Sequence, residues 1–215
     1  MTHSGGDGAY DELKRKRPEL FGNPEGAAVR ILDEAPADGG PYGVCYRDPY
    51  VTVLRDPVEF PGGRSGGFVR ILSSAGEGGA AVLPVHRGRV VLIRHFRHAT
   101  RRWHWEIPRG FAAPGEDSRQ TAERELREEI GAEARAWEPL GLLHADTGIS
   151  QSGVGLFWAD LETLGAPERA EGIDEILLLP PAELDAMLAR GELTDSFTLA
   201  AILNARVRGL PPFGR

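Results

Sequence analysis

The sequence predicts an α/β fold in which a mixed sheet carries helices on its faces. Three observations point there. Apolar residues recur with a period of two from about residue 50 to 94, as strands require. One long segment, Ser118 to Ile130, has a helical period with start and stop signals at its ends. Further helical segments follow the last strand-like run near the C-terminus.

Residues 1 to about 12 are rich in glycine and aspartate, and partial disorder is expected there. The basic run Lys14-Arg15-Lys16-Arg17 beside Pro18 is read as a solvated segment. Pro36 to Gly43 punctuates the chain, which implies a short strand or arm ahead of it. Residues 1–43 are therefore expected to form an N-terminal arm, and residues 44–215 the main domain.

Tyr50 to Leu54 and Val58 to Phe60 read as strands interrupted at Asp56-Pro57, and Phe68 to Leu72 as another, ended by the turn Ser73 to Gly79. Ala80–Val85 and Arg89–Arg94 form a hairpin around His86-Arg87-Gly88, with Val90-Val91-Leu92-Ile93 apolar enough to be central. His95 to Trp105 reads as a long aromatic and basic connection. Asp117 and Gln120 fit a capping box for the Ser118–Ile130 helix, and Gly131 suits its end. Ala122, Leu126 and Ile130 give that helix one face to dock on a sheet. Leu140–Leu143, Val154–Ala159 and Ile176–Leu179 are the remaining strands. Pro181 opens a helix through Leu188, and Thr194 or Asp195 caps a last one running to Val207.

Composition narrows the function classes. The chain has 215 residues, 41% of them hydrophobic and 27% charged, which suits one substantial core. Its net charge of −7 argues against a nucleic-acid partner, because phosphate backbones need a basic stripe. The lone Cys45 excludes an intrachain disulfide framework and a cysteine metal cluster. Neither a signal-peptide pattern nor an 18-residue apolar span is found, so a cytoplasmic protein without a membrane partner is expected.

The chemistry concentrates between Gly110 and Ala132, GFAAPGEDSRQTAERELREEIGA. Glu125, Glu128 and Glu129 share one helix face beside Arg124, and Glu116 follows a glycine-rich bend. Carboxylates so placed repel one another, and a hard divalent cation such as Mg²⁺ would offset that cost. A site of this kind suits phosphoryl chemistry.

The spacing resembles the signature of the Nudix hydrolases: Gly, five residues, Glu, seven residues, Arg-Glu, an aliphatic residue, any residue, Glu-Glu, any residue, Gly. Gly110, Glu116, Arg124, Glu125, Leu126, Glu128, Glu129 and Gly131 match it throughout, with Ala132 a mild departure at the following position. The resemblance implies an α/β/α sandwich around a mixed sheet and hydrolysis of a nucleoside diphosphate linked to another group. It implies Mg²⁺ (or Mn²⁺) held mainly by Glu125 and Glu129, with Glu128 and Glu116 in support and the Arg109 backbone carbonyl as a further ligand. Arg124 would orient the carboxylates.

The flanks, Tyr50 to Gly63, Leu92 to Arg97, Trp105 to Gly110 and Glu183 to Leu199, look like the ADP-ribose pyrophosphatase branch. Its members are commonly homodimers whose N-terminal strands help build the partner's pocket. On that reading Arg97, Arg101, Arg102 and Arg109 are candidates for the diphosphate of a small-molecule substrate, and Trp103 or Trp105 for stacking. One departure stands out. The branch usually places a glutamate after a Ser-Pro-Gly-like turn, whereas Asp146 to Gly153 contains none, with Gln151 or Ser152 near its place. A glutamine cannot serve as a base, so the base would be Asp146 or a box glutamate, unless metal-bound hydroxide suffices. His144 is read as structural. The alternatives are another diphosphate substrate, a different nucleotide sugar or an isoprenyl diphosphate, or a non-catalytic Nudix-fold sensor.

Overall fold

The computed structural model describes residues 6–37, 40–74 and 78–214. Two compact units emerge, Met1–Ala75 with Asp146–Ser152, and Gly76–Ala145 with Gly153–Arg215.

The first unit has α1 (Gly6–Lys16), a single 3-10 turn (Pro18–Leu20), and strands β1 (Arg30–Ile31), β2 (Gly43–Arg47), β3 (Val51–Glu59) and β4 (Ser65–Ser73). β3 is the centre of its sheet: β4 pairs one side along the full strand, while β1 and β2 share the other. The sequence reading broke this strand at Asp56-Pro57, yet it runs through. In an antiparallel strand a residue's N–H and C=O point to the same side. The Pro57 carbonyl accepts from Leu32 N–H on the β1 side, so its missing N–H costs the ladder with β4 nothing. Pro57 falls between the stretches of β3 that β1 and β2 pair.

A helix over Gly6–Lys16 replaces the disorder expected for part of that segment, whose first five residues lie outside the described ones. Tyr10 and Leu13 pack with Leu54, Leu72, Leu20, Phe21 and Val44. Tyr10 Oη donates to the buried Asp56 (2.5 Å), which also pairs with Arg70. Tertiary docking thus rescues a helix too glycine-rich to form alone. The basic run closes α1, where positive side chains complement the helix dipole. The arm strand expected ahead of Gly39 is β1, while residues 38–39, and 75–77 of the turn after β4, lie outside the described ones.

The second unit is built on β5 (Ala80–His86), β6 (Arg89–Arg97), β7 (Arg102–Glu106), β8 (Arg109–Gly110), β9 (Glu133–Leu143), β10 (Val154–Thr163) and β11 (Ile173–Leu179), with helices α2 (Ser118–Ile130), α3 (Pro181–Ala189) and α4 (Ser196–Val207). The strand order is β11-β6-β5-β10-β9, with β7 added to β6 and β8 to β5. β5 and β10 are parallel and the other pairs antiparallel, so the sheet is mixed as expected.

Alternation sorts its two faces. Ala80, Val82, Val91 and Ile93 meet Ala122, Leu126 and Ile130 of α2. Ala81, Leu83, Val85, Val90 and Leu92 face Leu184 and Met187 of α3 and Phe197, Ala201 and Ile202 of α4. This is the α/β/α sandwich. The β5–β6 hairpin turns on Arg87 and Gly88, both at positive φ (51° and 73°), which matches the twist of the strands it joins.

The segment His95 to Trp105 differs from the long connection expected. β6 continues to Arg97, turns at Arg101 (φ 58°) and returns as β7, with Phe96 opposite Trp103 and the rings edge-on at 5.5 Å. β9 begins at Glu133, earlier than its apolar residues suggest, because it pairs only β10 and lies at the sheet edge. β10 and β11 likewise extend beyond their apolar cores. Among the described residues no helix is long and apolar enough to cross a membrane.

Candidate active site

The box residues meet where α2 packs beside β8. Both ends of α2 are fixed by the sequence. The side chains of Asp117 and Gln120 each accept from the other's backbone N–H, completing the capping box, and Gly131 ends the helix in the left-handed region at φ 59°. Glu125 and Glu129, one turn apart, are buried on the face turned to β8. Gly110 permits this approach, since a Cβ there would stand 1.9 Å from Glu125 Oε1. The Arg109 backbone N–H donates to Glu129 Oε2 at 3.1 Å.

Arg124 gathers the other carboxylates. Its Nε donates to Glu116 Oε1 (3.0 Å) and its Nη1 to Glu125 Oε1 (2.8 Å) and Glu128 Oε2 (2.7 Å), while Nη2 caps the Phe111 carbonyl (2.8 Å). Glu116 is locked in the bend, accepting also from Ala113 N–H and Thr121 Oγ1. The Arg124 hydrogen bond and the Ala113 N–H hold its carboxyl below the ordinary carboxylate range. The opposite holds deeper in. Burial, helped by the charge of Glu125, pushes Glu129 up to about 8 against the pull of Arg97 and the Arg109 N–H. Burial also raises Glu125, although Arg124 opposes it.

Among the described residues no three carboxylate, imidazole or thiol groups enclose a common point, because Arg124 draws Glu125 and Glu128 to itself. The donor chemistry nonetheless fits a hard divalent cation. Both carboxylates are disfavoured in charged form by burial, Glu129 also by the charge of Glu125, and a cation between them would offset the desolvation cost and that repulsion.

The candidate diphosphate residues separate into two groups. Arg97 and Arg109 come together on the buried carboxylate of Glu106: Arg97 Nη2 stands 2.6 Å and Arg109 Nη2 3.5 Å from it. His95 Nδ1 lies 3.2 Å away on a third side. Arg109 also reaches Asp195, the N-cap of α4, at 3.5 Å and stacks over Phe197. Arg101, Arg102 and Trp103 lie instead at the β6–β7 hairpin. There Arg101 bonds His98 and covers Phe96, Arg102 is exposed, and Trp103 packs on Phe96 and under Arg94. Trp105 is partly buried against the core beneath α3 and α4.

Asp146 belongs to the first unit. Its Oδ1 accepts from Gly148 N–H (2.8 Å) and its carbonyl from Ser150 N–H (2.9 Å), so it forms the turn it begins.

Two acidic residues were missed in the sequence. Glu106 is 1% exposed, and its signal was a charge at an inward strand position between Trp105 and Ile107. Glu171 ends the 3-10 turn Arg169–Glu171, and its charge raises both Glu125 and Glu129. The backbone N–H of Glu168, which caps that turn, donates to the Glu129 carbonyl at 2.9 Å, tying it to α2. Nothing in the surrounding composition marked Glu171.

The chain is 32% identical over 154 residues to an ADP-ribose pyrophosphatase of Mycobacterium tuberculosis, covering 69% of this chain and 73% of that one. It is 29% identical over 165 residues to a CMP-5'-(N-acetyl-N-hydroxy-3-aminopropyl)phosphonate hydrolase of Streptomyces rubellomurinus, covering 74% and 77% of the two chains. A crystal structure of an ADP compounds hydrolase shares the fold with a TM-score of 0.68 at 20% identity, over 79% of this chain and 91% of that one. The NUDIX domain family matches residues 77–197, a span that holds the box helix, the sheet and the Glu106 cluster. The chain belongs to that family and is a Nudix hydrolase, an enzyme that breaks a nucleotide diphosphate linkage.

Proposed function

We propose that this enzyme is a Mg²⁺-dependent (or Mn²⁺-dependent) pyrophosphohydrolase acting on ADP-ribose or a related nucleoside diphosphate sugar in the cytoplasm. It releases a nucleoside monophosphate and a sugar phosphate. The observation that carries this reading is the pair of buried carboxylates Glu125 and Glu129, with Glu125 pressed against Gly110, Glu129 bonded to the neighbouring Arg109 N–H, and the charge of Arg97 acting on Glu129. Glu125 and Glu129 would hold the metal, with Glu128, Glu116 and the Arg109 carbonyl in support. The cation supplies charge neutralisation on the diphosphate oxygens.

The chain's own groups do the rest. Arg97 and Arg109 hold the diphosphate, and Arg124 fixes the carboxylates that face it. Arg101, Arg102 and Trp103 at the hairpin are available to the far end of a long substrate, and Trp105 steadies the strand that carries Glu106. Water attacks one phosphorus, a P–O bond to the bridging oxygen breaks, and a carboxylate takes the water's proton. Glu171 is the carboxylate we assign to that step, because it lies on a separate turn whose Glu168 N–H is bonded to the Glu129 carbonyl. Asp146 is the competing candidate.

The 32% identical pyrophosphatase supports ADP-ribose, and the Streptomyces relative makes a CMP-linked phosphonate the second reading. Monophosphate release should be followed for ADP-ribose, other nucleoside diphosphate sugars, dinucleotides, CMP-linked phosphonates and isoprenyl diphosphates. ADP-ribose or another nucleoside diphosphate sugar should give the highest kcat/KM. Turnover of none of them despite bound Mg²⁺ would point to a sensor instead.

We also propose a homodimer without nucleic-acid or membrane partners. The first unit has a small core and exposes Tyr46, Tyr50 and Val69, surface that a second copy could cover. Light scattering at micromolar protein should report twice the 23.3 kDa chain mass. A value near the single chain mass would contradict it.

A further inference from the structure

Glu106 sits at the end of β7, buried to 1% exposure and ringed by three basic side chains. A carboxylate kept there only for stability would be expected to sit in well-aligned hydrogen bonds, since an unsatisfied buried polar atom is costly. Its surroundings are different. Arg97 Nη2, His95 Nδ1 and Glu106 Oε1 lie at ion-pair distance without hydrogen-bond alignment, and the buried Nε atoms of Arg97 and Arg109 donate to no protein acceptor. Within this cluster the guanidinium donors without a partner belong to Arg97 and Arg109. Guanidinium donors of this kind match the oxygens of a phosphate.

Connectivity gives the cluster a direction. Arg109 donates its backbone N–H to Glu129, and Arg97 is close enough for its charge to act on Glu129. On the far side Arg109 is braced by Asp195, whose Oδ2 accepts from both the N–H and the Oγ1 of Thr198. Thr198 Oγ1 in turn accepts from Ile107 N–H, next to Glu106 itself. Glu106 therefore stands behind both arginines, anchored by the N-terminus of α4.

We propose that Glu106 is a positioning residue for the hydrolysis, holding the Arg97 guanidinium beside the box helix so that it meets a phosphate oxygen of the substrate already oriented. This rests on the reading above that Arg97 contacts the diphosphate. An arginine free to rotate would have to be ordered at each binding event, and that ordering cost weakens binding. A contact made equally to substrate and transition state shows in KM, with kcat largely kept.

The test uses the full chain with Mg²⁺ and the best substrate of the screen, comparing Glu106→Gln, Glu106→Asp, Arg97→Gln and the double variant Glu106→Gln/Arg97→Gln. Glu106→Gln should raise KM about 10-fold or more, the scale of a supporting group around a site, with kcat much less affected. Glu106→Asp should recover part of the loss. The double variant should match Arg97→Gln alone, because removing the holder costs nothing further once the held group is gone. An unchanged KM in Glu106→Gln, or losses that multiply in the double variant, would overturn the proposal. Should Glu106→Gln fail to fold, Glu106→Asp carries the same comparison.

A second readout needs neither metal nor turnover. Guanidinium rotation of Arg97, followed by nitrogen NMR in the metal-free protein, should be hindered in the wild type and free in Glu106→Gln. Equal rotation in the two would also sink the proposal. Failure of every substrate in the wild type would count against the diphosphate reading, while the Arg97 rotation still decides whether Glu106 holds it.

Discussion

Glu129→Gln is expected to abolish most of the stabilisation that millimolar Mg²⁺ gives and to lower turnover by about 10²–10³-fold or more, the scale seen when a group that stabilises developing charge is removed. The carboxylate is 2% exposed and its charged form is disfavoured first by burial and then by Glu125. Glutamine keeps the shape and removes the charge, so the loss reads the charge alone. A ligand that binds only the native state raises its stability by mass action, and the variant should lose that response while folding normally without metal.

The pH dependence follows from the same residue. The folded pKa of Glu129, about 8, lies above its ordinary value of 4.5, so the native state holds a proton that the unfolded chain has already lost between these values. The stability this contributes is complete below pH 4.5 and disappears as pH rises through about 8. A metal must displace that proton, so Mg²⁺ affinity should climb from pH 6 to about 8 and then level off. Calorimetry at several pH values, with and without Mg²⁺, separates the two trends. A Glu129→Gln protein with the wild-type metal shift, or a wild type whose Mg²⁺ affinity ignores pH, would show that another group holds the ion.

Much of the second unit was legible because its signals are local. Asp117, Gln120 and Gly131 set the ends of α2 through their own side chains and backbone, and the alternation around Val90 to Ile93 placed a central strand. Where tertiary partners decide, the reading fell short. Pro57 looks like a strand breaker until β1 and β2 are seen to leave its side of β3 open. The β7 residues Arg102 to Glu106 mix charged and aromatic side chains, with Trp103 packed on Phe96 and Trp105 against the core, and that mixture hid a strand behind a polar pattern. α1 needs Asp56 and Arg70, more than forty residues away, to hold Tyr10. The site divides in the same way. The box spacing located Glu116, Arg124, Glu125, Glu128 and Glu129, all carried by one bend and helix. Glu106 and Glu171 come from other strands and turns, and only the folded chain brings Glu106 to Arg97 and Arg109 and the turn of Glu171 to α2.

Glu171→Gln is expected to lower turnover by about 10²–10⁴-fold while leaving Mg²⁺ affinity nearly unchanged, the range for a positioned acid–base group. The sequence shows no glutamate between Asp146 and Gly153, which left the base to Asp146 or the box helix. The local structure weighs against Asp146, since its side chain is engaged with Gly148 N–H and its carbonyl with Ser150 N–H. Asp146→Asn keeps those turn contacts and should stay near the wild-type rate. Glu171 has the opposite character. It is exposed, it closes a turn capped by Glu168 and stopped by Gly172 at φ 83°, and the turn is pinned to the end of α2. It therefore offers a carboxylate on a turn bonded to α2 that is separate from the box carboxylates Arg124 engages. Glu128→Gln distinguishes the remaining case, because it removes one partner of Arg124 and leaves the buried pair in place. Metal affinity must be titrated for each variant, since a rate lost together with Mg²⁺ reports a ligand and not a base. A Glu171→Gln enzyme within about 10-fold of wild type, beside an Asp146→Asn enzyme that has lost more than about 100-fold at unchanged Mg²⁺ affinity, would return the base to Asp146.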